Sequence, residues 1–162
     1  MTDTAEGLAA KAVLSFRRQL GQERRPGEWY LIDQARINQF AAVIHDQNFI
    51  HVDPTACAER SPYKTTVAHG FLTLSLLSHL VRQIPDPSPF DGVKLSINYG
   101  FNRVRFVNVV KVDSRIRARW RPIDVELKSP SVIHVTHEVT VDIEHEEKPA
   151  CVADWIIRLV YT

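Results

Sequence analysis

Residues 46–84, DQNFIHVDPTACAERSPYKTTVAHGFLTLSLLSHLVRQI, form the stretch that decides the fold. The first half is polar and carries Asp46, His51 and His69 without a helical or strand period. The second half, from about Ala68 to Ile84, is apolar almost all the way round. About 17 residues at a rise of 1.5 Å per residue form a helix of roughly 25 Å. Because a helix that is apolar on every face is buried on every face, this stretch predicts a polar loop that leads into a central helix wrapped by the rest of the protein.

The predicted helix is too short to span a membrane comfortably, and its serines, His79 and Arg82 argue further against spanning. Pro85 should end it, and the proline-rich segment that follows reads as a surface connection. No Asp or Glu occurs from Gly70 to Ile84.

The bulk composition excludes several classes of protein. The 162 residues are enough for one domain with a substantial core. The formal charge of +1, from 20 basic and 19 acidic residues, predicts no nucleic-acid or anionic-membrane partner. Cys57 and Cys151 lack CxxC spacing and read as reduced thiols, and the N-terminus lacks the pattern of a signal peptide. A cytoplasmic location is therefore expected.

The remaining elements follow from local periodicity. A helix is predicted over Leu8–Leu20, in an N-terminal extension of residues 1–27, and residues 28–162 form the predicted single domain. A short strand over Glu28–Ile32 precedes a helix with Asp33 at its N-cap. A second short helix, Pro54–Glu59, follows Asp53 in the same way.

After the central helix the chain changes to strand periodicity. Leu95–Val107 alternates and contains Gly100 as a candidate bulge. Period-two alternation is clear in residues 115–121, 133–144 and 151–161, so one face of each strand should be buried. The predicted fold class is α+β, a curved antiparallel sheet wrapped around one long helix.

Two groups of residues could do chemistry. Asp46 and His51 could hold a water molecule and move its proton, although the spacing also suits a capping Asp and a hydrogen-bonded His at the end of a loop. Gly70 at the helix start could expose backbone N–H groups to an oxyanion, or could simply allow close helix–strand packing while His69 caps the turn. Ser78 is more typical of a core serine bonded to an upstream carbonyl.

Other chemistries have weaker support. A metal site from His45, Asp46, His51 and Asp53 lacks a ligand pair on one element, so no metal is expected. Nucleophile-elbow, P-loop and dinucleotide motifs are absent from the sequence. The arginines at positions 115, 117, 119 and 121 favour a solvated strand face over a site for a phosphorylated ligand.

Two separated motifs resemble a known family. Residues 46–51, DQNFIH, followed by AHGFL at 68–72 and SLLS at 75–78, resemble the MaoC-like, or hydratase-2-type, dehydratases of the hot-dog fold. The similarity runs from about Trp29 to Val107 and is greatest to the small (R)-specific enoyl-CoA hydratases, including the nodulation protein N-like group.

The resemblance implies reversible syn addition of water to a trans-2-enoyl thioester, carried by coenzyme A or acyl carrier protein, to give a (R)-3-hydroxyacyl thioester. It implies Asp46 as the general base, His51 as the group that holds the water and transfers a proton to C2, and the Gly70 amide as oxyanion donor. Asn48, Ser78 and His69 are implied as supporting residues. It also implies a homodimer that needs no cofactor.

Two other functions remain open at this point. A hot-dog thioesterase would place its carboxylate on the central helix, where this chain has none. A non-catalytic subunit that supports a fatty-acid dehydratase complex has no reason to keep both Asp46 and His51.

Overall fold

The computed structural model describes residues 4–84 and 92–162. The predicted stop at Pro85 and most of the surface connection lie outside these ranges. The helices are α1 (Ala5–Gln19), α2 (Gln34–Ile44), α3 (Phe49–Val52), α4 (Pro54–Arg60), α5 (Gly70–Ser75) and α6 (Leu77–Arg82). The strands are β1 (Tyr30–Ile32), β2 (Val93–Phe106), β3 (Ser114–Ser129), β4 (Val132–Ile143) and β5 (Cys151–Tyr161).

The strands form an antiparallel sheet in the order β1-β3-β4-β5-β2, with helices packed against it. The long strands β3, β4 and β5 form the centre, and among the described residues β2 is an edge strand that pairs with β5 alone. The α+β prediction is confirmed. A register shift between Asn98 and Gly100 confirms the predicted irregularity in β2.

Both predicted aspartate caps are confirmed, because each depends only on local sequence. Asp33 accepts a hydrogen bond from the Arg36 amide at 2.8 Å and begins α2. Asp53 accepts from the Ala56 amide at 2.9 Å, and Pro54 follows at the first position of α4.

The core lies between the sheet and α1, α5 and α6. Alternate residues of β5 are buried along its whole length, as the period-two pattern predicts. The N-terminal helix α1 contributes Ala9, Ala12, Val13 and Phe16 to this core. The segment expected as an extension therefore packs as part of the same hydrophobic unit.

The prediction of one continuous helix buried on every face is wrong. The helix is interrupted at Leu76, between α5 and α6. The Ser75 hydroxyl donates to the Phe71 carbonyl at 2.6 Å, a side-chain contact that competes with the helical ladder and bends helices. Phe71 is 63% exposed, so one face of the helix is open in the single chain.

The arginine-rich face of β3 is a paired, solvent-facing surface. Arg115 pairs with Glu144, Arg117 and Arg119 with Asp142, and Arg121 with Glu138. Because these side chains already have carboxylate partners, the surface fits the solvated-face interpretation better than a site for a phosphorylated ligand.

Candidate active site

The site begins at the end of α2, where the backbone turns sharply. His45 has φ of 58°, in the left-handed region, and its backbone N–H bonds to the Ala41 carbonyl. This turn ends α2 and delivers Asp46 to the surface. The Asp46 carboxylate, whose side chain is 50% exposed, accepts from the Asn48 amide at 3.2 Å. Asn48 in turn caps α3 by accepting from the Ile50 amide at 3.2 Å.

His51 lies on α3 rather than in a loop, and it is buried. Its Nδ1 lies 2.6 Å from the Val67 carbonyl oxygen. A carbonyl can only accept, so Nδ1 carries the hydrogen, and the neutral ring keeps its lone pair on Nε2. Burial lowers the pKa of His51, the Val67 carbonyl partly offsets this, and nearby His69 lowers the pKa further. The ring is therefore neutral at pH 7, with Nε2 able to accept a proton.

His69 joins the two residues across the fold. Its Nε2 donates to the Asp46 backbone carbonyl at 3.1 Å and lies 3.9 Å from the Asp46 carboxylate. Its ring stacks on His51 and lies against Phe40. The side chain makes no capping hydrogen bond to α5, so the interpretation of His69 as a helix cap is not supported.

Gly70 is the first residue of α5, next to His69. A Cβ at this position would meet Cγ of Phe106 at 2.9 Å, so glycine is required for the close approach of this ring. The first amides of a helix have no intrahelical acceptor. Gly70 and Phe106 also line a cavity of about 150 Å³ beside the helix start. The packing role and the exposed-amide role are thus both compatible with the geometry.

The structure brings together Asp46, His51 and His69, whose potential ligand atoms all lie within 4.8 Å of one another. It does not bring Ser78 to them. Ser78 lies two turns further on and accepts a hydrogen bond from Asn98 at 3.4 Å. The trio has the side chains of a metal site, but the stacked imidazoles hold their nitrogen lone pairs in two nearly parallel planes, which suits a shared ion poorly.

One supporting residue was missed from the sequence. Gln34 Nε2 donates to the His51 backbone carbonyl at 2.7 Å, and Thr66 donates to Gln34 Oε1. Gln34 lies on α2, far from both partners in the chain, and no local pattern points to it. These two hydrogen bonds connect α2 to α3 and to the segment before α5. They therefore stabilise the relative positions of the three segments that carry Asp46, His51 and His69.

The chain matches the family model described as MaoC like domain over residues 15–145. The protein belongs to the MaoC-like family. It is 46% identical over 137 residues to nodulation protein N of Rhizobium meliloti, covering 85% of this chain and 84% of that one. It is 43% identical over 140 residues to 3-hydroxyacyl-thioester dehydratase Z of Mycobacterium tuberculosis, covering 86% and 90%.

The fold of this MaoC-like protein is the hot-dog fold of solved R-hydratases. R-hydratase PhaJ1 from Pseudomonas aeruginosa superposes with a TM-score of 0.65 at 22% identity, covering 89% of this chain and 83% of that one. At this identity the likeness concerns the fold alone. The family supports a hydratase or dehydratase activity, and no helix within residues 4–84 and 92–162 is long and apolar enough to cross a bilayer.

Proposed function

We propose that the protein is an (R)-specific enoyl-thioester hydratase, which also catalyses the reverse dehydration. The observation that carries the proposal is the cluster of the Asp46 carboxylate with the His51 and His69 imidazoles beside the start of α5. The 3-hydroxyacyl-thioester dehydratase named among its relatives supports the same reaction class.

Water binds between the Asp46 carboxylate and Nε2 of His51. Asp46 acts as general base, and the water oxygen forms a bond to C3 of the enoyl group. The π electrons move toward the thioester oxygen, and the proton released by the water reaches C2 through the Asp46–His51 pair. Because one water supplies both the hydroxyl and the hydrogen from one face, the addition is syn.

The thioester oxygen gains negative charge during the attack, and the Gly70 amide binds it. A preorganised amide stabilises such charge without reorganisation, and one such donor typically contributes about 10²–10³ in rate. His69 acts through its neighbours, because it fixes the Asp46 backbone and stacks on His51. The thioester itself accepts the electrons, so the scheme uses no metal or redox cofactor.

We also propose a homodimer formed at β2. Within residues 4–84 and 92–162 this strand pairs on one side, with β5, and it exposes Leu95, Ile97 and Tyr99. An apolar open edge associates readily with another strand. A cytoplasmic location is proposed from the two buried free thiols, Cys57 and Cys151.

The reaction is tested by hydration of crotonyl-CoA, followed as loss of the enoyl-thioester absorbance, with chiral analysis of the product. Asp46→Asn and His51→Ala should each reduce kcat/KM by about 10²–10⁴-fold, the usual contribution of acid–base groups. His79→Gln, an exposed histidine on α6, is the matched control and should retain full activity.

The proposal fails if the purified protein is inert on C4, C8 and C12 enoyl thioesters of both coenzyme A and acyl carrier protein. Activity that appears only after mixing with a second hot-dog subunit would instead identify a supporting subunit. Formation of the (S)-product would contradict the stereochemical assignment.

A further inference from the structure

The cavity of about 150 Å³ beside Gly70 contains polar groups that the proposed reaction does not use. Apart from Thr73 and Asn108, the described side chains that line it are apolar, and none of these lining residues is charged. Apolar surroundings strengthen a hydrogen bond and raise the cost of leaving a polar atom unpaired. The two polar side chains are therefore the groups that decide what this cavity binds.

Thr73 places an unpaired hydroxyl in the cavity. The residue is 3% exposed, and its hydroxyl forms no hydrogen bond with any residue of the described ranges 4–84 and 92–162. The oxygen is nevertheless not fully enclosed, in contrast to the buried and unpaired indole nitrogens of Trp120 and Trp155. Because Thr73 lines this cavity, the accessible part of its hydroxyl faces the cavity.

The usual partner of a helical threonine is already used by other groups. A threonine hydroxyl inside a helix commonly donates to the carbonyl four residues earlier, which here belongs to His69. That carbonyl instead accepts from the backbone amides of Leu72 at 3.0 Å and Thr73 at 3.3 Å. The hydroxyl hydrogen of Thr73 is therefore available, and an acceptor inside the cavity would remove the cost of leaving it unpaired.

Thr73 and Gly70 lie on the same side of α5. They are three residues apart, the spacing at which helical residues are neighbours on one face. The Cα–Cβ bond of a helical residue tilts toward the start of its helix, so the Thr73 hydroxyl is directed toward Gly70. Gly70 has no side chain that could lie between them. Since both residues line the cavity, one oxygen atom can contact both of them there.

Asn108 indicates which kind of atom the cavity accepts. Its Oδ1 accepts a hydrogen bond from the Val109 amide at 2.9 Å, which fixes the orientation of the side-chain amide. The Nδ2 donors have no partner within the part of the chain that the structure describes. The unused groups in the lining are thus a hydroxyl and an N–H donor, and an acceptor oxygen fits both.

We propose that Thr73 is a catalytic residue whose hydroxyl donates a hydrogen bond to the thioester oxygen, beside the Gly70 amide. This inference rests on the proposed function for the location of that oxygen. The oxygen gains negative charge as water adds to C3, so a donor held here stabilises the transition state more than the bound substrate. The Thr73 hydroxyl keeps its own proton throughout and acts only as a hydrogen-bond donor.

Binding is measured first, without turnover. Butyryl-CoA has a saturated acyl group that cannot be hydrated, and S-butyl-CoA is the matching thioether without the carbonyl oxygen. Calorimetry gives the dissociation constant of each compound for the wild type and for Thr73→Val, which keeps the shape of the side chain and removes the hydroxyl. The wild type should bind butyryl-CoA more tightly. Thr73→Val should reduce this preference by about 2–10-fold, the value of one neutral hydrogen bond.

Turnover distinguishes a catalytic role from simple binding. In crotonyl-CoA hydration, Thr73→Val should lower kcat by about 10²-fold, as expected for the loss of one donor to a developing oxyanion, with a much smaller change in KM. Thr73→Ser keeps the hydroxyl and should recover most of kcat. The free energy of unfolding, measured by urea denaturation, should not fall in Thr73→Val, because the lost hydroxyl has no partner among the described residues.

Thr136→Val is the matched control. Thr136 is 8% exposed and lies on β4, outside this cavity, so the same substitution there should change neither the preference for butyryl-CoA nor kcat. If Thr73→Val does not fold, Thr73→Ala removes the same hydroxyl and is compared with Thr73→Ser in both measurements.

The inference is overturned if Thr73→Val keeps the wild-type preference, or if the wild type prefers neither compound or binds neither. Turnover of crotonyl-CoA with an unchanged kcat in Thr73→Val supports the reaction and overturns the role of Thr73. A preference for butyryl-CoA that depends on Thr73, without turnover of any enoyl thioester, supports an oxygen site at Thr73 and overturns the reaction.

Discussion

The imidazole rings of His51 and His69 are stacked, with centroids 3.6 Å apart and planes inclined by 23°. One ring comes from α3 and the other from the segment that enters α5. The stack therefore joins the polar loop to the helix start, and it places a second titratable group against the proposed acid–base residue. Two like charges at this distance oppose each other, which adds to the effect of burial on His51.

The first prediction concerns this stack. His69→Phe keeps an aromatic ring on His51 but removes a group whose positive charge lowers the pKa of His51. The pKa of His51 should therefore rise, although burial, the larger cause, still holds it below its usual range. Titration of the His51 ring by NMR measures this directly and needs no substrate.

The control for this experiment is His79→Phe, which alters a histidine that packs on Tyr30 away from the site. It should leave the titration of His51 unchanged. A pKa for His51 that is the same or lower in the His69→Phe variant would contradict the assigned interaction.

The features of this fold that depend on neighbouring residues are predictable from the sequence. The caps at Asp33 and Asp53 depend on residues two or three positions away, and the alternation of β5 depends on residues two apart. Such features can be read from a single chain.

Contacts between distant segments could not be predicted in this way. The stack of His51 on His69 and the Gln34 contacts require the folded arrangement of α2, α3 and α5. The exposure of Phe71 could not be predicted either. An apolar helix face is expected to be buried, but its sequence does not show whether the same chain or another copy buries it.

The second prediction concerns the pH dependence of stability. His137 is 3% exposed, stacks on Trp120 at 4.2 Å, and burial lowers its pKa to about 3. In the unfolded chain the pKa is near 6.5, so the unfolded state binds the proton first as the pH falls. The free energy of unfolding should decrease as the pH falls below about 6.5 toward 3, by up to about 1.4 kcal/mol per pH unit from this group.

His137→Phe removes this titration. The free energy of unfolding, measured by urea denaturation between pH 5 and 6.5, should therefore fall less steeply with decreasing pH than it does in the wild type. The control is His145→Asn, because His145 is exposed and asparagine tolerates its φ of 66°. If the free energy of unfolding had the same pH dependence in the wild type and in His137→Phe, this would show that His137 titrates normally in the folded state.

The third prediction concerns the open edge of β2. If two copies pair there, analytical ultracentrifugation should give twice the chain mass of 18.5 kDa. Replacing both Leu95 and Tyr99 with lysine places charges on the apolar edge and should yield the single-chain mass.

Leu31→Lys is the matched control for the dimer, since Leu31 is an exposed apolar residue on β1, at the other edge of the sheet. It should leave the mass unchanged. If Leu31→Lys dissociates the dimer and the lysine substitutions at Leu95 and Tyr99 have no effect, the interface lies at the β1 edge instead.

The fourth prediction separates the two roles of Gly70. Gly70→Ala should lower the free energy of unfolding by about 1–3 kcal/mol, because the added methyl overlaps the Phe106 ring. Phe106→Leu should relieve this overlap, and a double-mutant cycle should show coupling of about 1 kcal/mol or more. Gly100→Ala is the control, since a Cβ there meets no atom within 4 Å.

Alanine keeps the backbone N–H, so crotonyl-CoA hydration should recover together with stability in the Gly70→Ala, Phe106→Leu double variant. Zero coupling would contradict the packing role, whereas a stable double variant that stays inactive would show that the methyl group itself blocks the thioester.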